Sequence, residues 1–87
     1  GERPLVSVAE GMVQGGDLDA AVRMLELNLE FLPESAQSTF SLAQIYDQRG
    51  ETEDAIRYYE RTLELAPNNR RAEQRLEALR GGGRPTP

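Results

Sequence analysis

The sequence predicts an all-α fold, and three observations carry that reading. Apolar residues recur at spacings of three and four through most of the chain, as in helices with one buried face. Gly15, Gly16, Pro33, Gly50 and Pro67 fall at the breaks between those stretches, where helices are expected to stop. The chain also resembles itself when shifted by 34 residues.

The elements follow in order. Pro4 suits a first helical turn, and Leu5, Val8, Ala9 and Met12 form a helical stripe that ends at Gly15 and Gly16. Asp17 is the expected N-cap of the next helix, with Asp19 in its first turn and Leu18, Ala21, Val22, Leu25, Leu29 and Leu32 as its stripe. Pro33 closes it. Ser35 is expected to cap a helix carrying Phe40, Leu42, Ala43, Ile45 and Tyr46, stopped by Gly50. Thr52 is expected to cap a fourth helix with Ala55, Ile56, Tyr59 and Leu63 inside and an outward Glu53–Arg57 pair, before Pro67. Asn68 and Asn69 can cap a fifth, carrying Ala72, Leu76 and Leu79. Residues 81–87 read as a flexible Gly/Pro tail.

The 34-residue shift pairs Val8 with Leu42 and Leu76, Ala9 with Ala43, Met12 with Tyr46, Gln14 with Gln48 and Gly16 with Gly50. It also pairs Ala21 with Ala55, Leu25 with Tyr59, Leu29 with Leu63 and Pro33 with Pro67. Small residues let paired helices approach, Gly turns the chain between them, and Pro ends each pair. Paired helices at this period resemble the tetratricopeptide repeat. Residues 36–69 look like a near-consensus unit, and residues 2–35 are similar to a divergent one, with Met12 and Leu25 in place of the usual aromatics. Residues 70–80 place Glu77 and Arg80 where a partner helix would need a small and a large apolar residue, and so read as a polar-faced cap over Leu63. The resemblance implies a single domain over residues 1–80, a right-handed solenoid of two antiparallel helix pairs and a capping helix.

Composition narrows the function. With no Cys and no His, the chain lacks disulfides, thiolate nucleophiles, the commonest metal ligands and the usual near-neutral acid–base residue. Isolated serines such as Ser7, Ser38 and Ser41 have no His to activate them, so an enzyme is not expected and no cofactor is implied. Asp17 with Asp19, and Glu51 with Glu53 and Asp54, are explained by helix dipoles rather than by a metal. No apolar run is long enough for a membrane helix. Net charge −5 argues against nucleic acid as a partner. That charge is uneven, because residues 1–69 carry five Arg against thirteen acids while residues 70–87 carry five Arg against Glu73 and Glu77. A cytoplasmic location is favoured and the compartment is left open.

The expected function is therefore protein–protein interaction. In the family that the chain resembles, partners lie in a concave groove lined by the first helix of each pair and by the cap. Mapped by period, the groove residues are Val6, Glu10, Phe40, Ser41, Gln44, Arg71 and Arg75, with Gln37, Gln48 and Gln74 beside them. Phe40 reads either as a contact anchor among Ser and Gln or as a residue packed on neighbouring helices. Arg71 and Arg75, one turn apart, can grip a carboxylate or form a solvated basic face. They match the last two basic positions of the five-residue clamp by which chaperone-binding members of that family hold a C-terminal carboxylate. Val6, Glu10 and Ser41 stand where Lys, Asn and Asn would be needed, so that ligand is not expected.

Asn28 departs from the small residue usual at its position, and Thr62 is its counterpart one period later. It reads either as a partly exposed polar residue or as a buried hydrogen bond that fixes helix register. The run LELNLEFLPES, residues 25–35, is also similar to the repeat tails that some bacterial serine hydrolases and esterases carry after their catalytic domain. That likeness implies an alternative, an accessory segment of a larger enzyme used for docking or self-association, and leaves homo-oligomers open.

Overall fold

The computed structural model describes residues 16–82, and every regular element among them is helical. Helix α1 runs over Leu18–Phe31, α2 over Ala36–Gln48, α3 over Thr52–Leu65 and α4 over Arg70–Glu77, followed by a π-helical turn at Ala78–Gly82. The predicted first helix, with Leu5, Val6, Val8, Ala9, Glu10 and Met12, lies outside the described residues, as do residues 83–87 of the tail.

The helix starts follow the capping chemistry of the sequence. Asp17, Ser35 and Asn69 each accept a backbone N–H three residues on, from Ala20 at 3.1 Å, Ser38 at 3.0 Å and Ala72 at 3.0 Å. Each bond satisfies a donor that the first helical turn leaves without a partner. The start of α3 differs from expectation. Thr52 is its first residue, and the N-cap is Glu51, which makes no side-chain capping bond. Its carboxylate turns instead to Arg49, 3.1 Å away. The outward pair expected between Glu53 and Arg57 is likewise replaced, because Arg57 reaches Asp54 at 2.6 Å.

The turn between α2 and α3 shows why Gly stands at position 50. Gly50 has φ +79°, in the left-handed region, and its N–H bonds the Asp47 carbonyl while the Glu51 N–H bonds the Tyr46 carbonyl. These two bonds close a Schellman motif and let α3 fold back on α2. One period earlier Gly16 holds φ +87°, so both glycines take the left-handed conformation. The C-terminal glycines do not stop the chain as expected. Gly81 and Gly82 continue α4 as its π-helical turn, since Gly, unlike Pro, keeps the backbone N–H needed to extend a helix.

Two clusters make the core. Ala21, Val22, Leu25, Leu42 and Ile45 join α1 to α2, and Ala43, Ala55, Tyr59, Ala72 and Leu76 join α2, α3 and α4. Tyr46 and Tyr58 touch both clusters, their rings stacked at 5.5 Å. Ala21, Ala43, Ala55 and Ala72 are fully buried, which is the close helix approach that their size permits. On α3 the buried face includes Thr62, while Ile56 and Leu63 are only half-buried.

The interior also holds a polar seam. Asn28 is buried, and its Nδ2 donates to Ser38 Oγ at 2.6 Å, so the hydrogen-bonded reading of this residue is the correct one and the partly exposed reading is not. Its counterpart Thr62 meets Thr39 with hydroxyl oxygens 3.3 Å apart. Helix α2 is thus held on one side through Ser38 and on the other through Thr39.

Candidate functional site

A cleft of about 510 Å³ opens between α2, α3 and α4. Helix α2 supplies Phe40, Gln44, Asp47 and Gln48, α3 supplies Tyr59, and α4 supplies Arg71, Gln74 and Arg75. The α2 residues share a face because they fall four, three and one positions apart along a helix. Arg71 and Arg75 do so by the same rule, and the Asn69 cap fixes where α4 begins.

Two linked arrangements form the walls. In the first, the half-buried Phe40 ring lies 6.1 Å from the Tyr59 ring at 58°, and the Arg71 guanidinium carbon lies 5.4 Å from the Phe40 centroid. Phe40 therefore packs on Tyr59, as one of its two readings expects, and also lines the cleft. Arg71 sits over its ring as a cation–π contact and has no ion pair among the described residues. In the second, Asp47 accepts from Arg75 Nε at 2.8 Å, from Arg75 Nη2 at 2.9 Å and from the Tyr59 hydroxyl at 2.9 Å. This bidentate pair ties α4 to the last turn of α2, with Tyr59 bracing it from α3.

Titration follows the geometry. The Arg75 guanidinium holds the Asp47 carboxyl below its ordinary value, outweighing the opposing effect of partial burial, and the Tyr59 hydroxyl adds to the lowering. Burial first, and the adjacent Asp47 second, push the Tyr59 phenol up to about 12. Asp47 in turn raises Arg75. Around neutral pH the three groups are a carboxylate, a guanidinium and a neutral phenol. The pair cancels its own charge, and Arg71 is left as the cleft's uncompensated cation among the described residues.

The sequence-derived groove is thus gathered in part. Phe40, Gln44, Arg71 and Arg75 line the cleft, together with Gln48 and Gln74. Ser41 is half-buried on α2 and is not among the lining residues, and Val6 and Glu10 lie outside the described residues. Arg75 is not a free anion receptor, because Asp47 already occupies its fork. Asp47 and Tyr59 are the lining residues that the period did not supply. Asp47 was nonetheless legible as a helix neighbour, seven positions after Phe40 and three after Gln44. Tyr59 reads as core in any periodic pattern, and it is buried while still lining the cleft.

Four of the five acidic residues at the helix starts are engaged within the fold. Asp17 caps α1, Asp19 and Glu51 both pair with Arg49, and Asp54 pairs with Arg57. Among the described residues no helix is long and apolar enough to cross a membrane.

Comparison with known families places the match on the hairpin that carries most of the cleft. The tetratricopeptide repeat family matches residues 36–69, which comprise α2, its Schellman turn, α3 and the linker to α4. No curated protein matches the chain. Repeats of this family generally bind protein partners and are typically not enzymes. Residues 36–69 are thereby assigned to the tetratricopeptide repeat family.

Proposed function

We infer that this chain is a non-enzymatic protein-interaction module whose cleft between α2 and α4 receives a peptide or protein segment. The observation that carries this reading is the composition of the cleft wall. A half-buried aromatic ring, a guanidinium held over it without a carboxylate partner, and Gln44, Gln48 and Gln74 with no side-chain hydrogen bond among the described residues all face one opening. Phe40 gives an apolar contact, Arg71 a charge, and the three amides can meet the backbone N–H and C=O groups of an extended segment. Asp47 and Arg75 hold α4 against α2 and α3 and keep the opening in shape.

The same reading extends the domain over residues 1–80, with a divergent first unit at residues 2–35, and takes residues 70–80 as the cap of a short right-handed solenoid. Support comes from the left-handed glycines Gly16 and Gly50, one period apart, and from the exposure of Glu77, while Arg80 reaches back to pair with Glu60 on α3. A displayed peptide library selected on the immobilised chain tests the cleft. Selected peptides are expected to lose binding with Phe40→Ala and with Arg71→Glu, and to retain it with Arg57→Glu on the outer face of α3. Peptides indifferent to both cleft substitutions would refute it.

A further inference from the structure

Helices α1 and α3 are equivalents 34 residues apart, yet their outer faces differ in a way the core does not require. On α3 the outer face neutralises itself, with Asp54 paired to Arg57 at 2.6 Å and Arg61 paired to Glu64 at 3.0 Å. On α1 one member of each pair is replaced by an apolar residue, since Ala20 stands for Asp54 and Leu27 for Arg61. Arg23 and Glu30, the counterparts of Arg57 and Glu64, are both exposed and have no ion pair among the described residues. Leu27 is 39% exposed and Phe31, one turn on, is 71% exposed. Together with Leu32 they are the exposed large apolar residues among those described.

The arrangement is self-complementary. Arg23 and Glu30 are two helical turns apart on one face, with Leu27 between them, four residues from one and three from the other. Turned end for end, the face presents the opposite order of charge around the same central leucine. We propose that α1 pairs with α1 of a second copy of this chain, antiparallel and about a two-fold axis near Leu27. Arg23 of each copy then lies beside Glu30 of the other, Leu27 packs on Leu27, and Phe31 is covered by the stem of Arg23. The bond is isologous and closes at two copies, and it leaves the cleft between α2 and α4 open. A helix of 14 residues is about 21 Å long and offers well under the ~800 Å² per partner of a standard interface, so association is weak and concentration-dependent.

Sedimentation velocity on the full 87-residue chain, from about 10 µM to about 1 mM at low salt, is the test. The expected result is a shift from monomer to dimer across that range. Leu27→Arg, which copies the residue α3 carries, is expected to leave the monomer at every concentration with its helical circular dichroism unchanged. Arg23→Glu and Glu30→Arg are each expected to weaken the dimer at least tenfold, through two like-charge contacts per interface. Mixing these two variants is expected to restore it, because every pair across the axis is then opposite in sign. A wild type that stays monomeric at about 1 mM overturns the proposal and leaves this face to a different protein. A dimer that survives both single reversals, or singles that do not recover on mixing, overturns the α1 pairing.

Discussion

Replacing Asp47 with Asn removes one charge and almost no volume, and it strikes the point where three helices meet. Wild-type Asp47 accepts two bonds from Arg75 and one from Tyr59. Arg75 is half exposed, so its ion pair is discounted to about 1 kcal/mol even with bidentate geometry. The Tyr59 hydroxyl is a buried donor to a charged acceptor, worth about 1.5–3 kcal/mol, of which a neutral Asn oxygen keeps roughly half. Asp47→Asn is therefore expected to destabilise by about 2 kcal/mol, measured by urea unfolding at neutral pH. The pH dependence separates this from a generic loss. Because the folded Asp47 carboxyl lies below its ordinary 3.8, its contribution is complete above that value and fades as pH falls through the depressed value. At the alkaline end Tyr59 titrates near 12 in the fold against 10.0 ordinarily, so stability on the order of 2 kcal/mol is present below pH 10 and is lost as pH rises toward 12. In Asp47→Asn the acid component disappears. The Tyr59 titration, followed by tyrosinate absorbance, moves only part of the way back, since burial is the larger cause. A variant within about 0.5 kcal/mol of wild type, with its tyrosinate titration unmoved, would refute the bracing role.

Other outcomes follow from the same contacts. Asn28→Ala is expected to cost about 2–4 kcal/mol, from a lost hydrogen bond, a stranded Ser38 hydroxyl and a cavity, with urea unfolding as the measurement. A double-mutant cycle with Ser38→Ala should give a coupling of about 1–2 kcal/mol, because the second substitution removes the stranded group. Gly50→Ala is expected to cost about 1–2 kcal/mol from backbone strain alone, since nothing lies within 4 Å of the added carbon, and Gly16→Ala should behave alike. Arg57→Ala on the exposed face of α3 should change stability by less than about 0.5 kcal/mol, which makes it the control for charge removal.

The parts of the fold legible in the sequence are those that local chemistry decides. Asp17, Ser35 and Asn69 announce helix starts because a side-chain oxygen three residues before a free N–H needs nothing else from the molecule. Gly50 announces the turn because a left-handed position excludes most other residues. The errors fall where two local options compete and tertiary neighbours choose. Arg57 had both Glu53 and Asp54 in reach, and Arg49 drew Glu51 away from capping. Asn28 was undecidable alone, since a polar residue on a helix acquires its meaning from Ser38 across the interface. The cleft was half legible for the same reason. Periodicity gave Phe40, Gln44, Arg71 and Arg75 a common side, but spacing says nothing of whether an arginine is free, and Asp47 settles that for Arg75.

These cases share a cause that bears on where function resides in a repeat. Positions that recur at 34 residues are those that every hairpin needs, and Ala21 with Ala55, Gly16 with Gly50 and Leu29 with Leu63 need no further explanation. The residues that distinguish this chain are those that fail to recur. Phe40 has Val6 and Gln74 as its periodic counterparts, Asp47 has Val13 and Gly81, and Leu27 has Arg61. Each failure changes a surface rather than the core. One places a ring under Arg71, one disarms Arg75 and locks α4, and one strips an ion pair from the back of α1. Departures that reach the surface are thus the basis of the two proposed contact surfaces, whereas the buried departure of Asn28 from Thr62 serves the interior seam. In this chain the former fall on the two faces proposed as contact surfaces, the cleft between α2 and α4 and the outer face of α1.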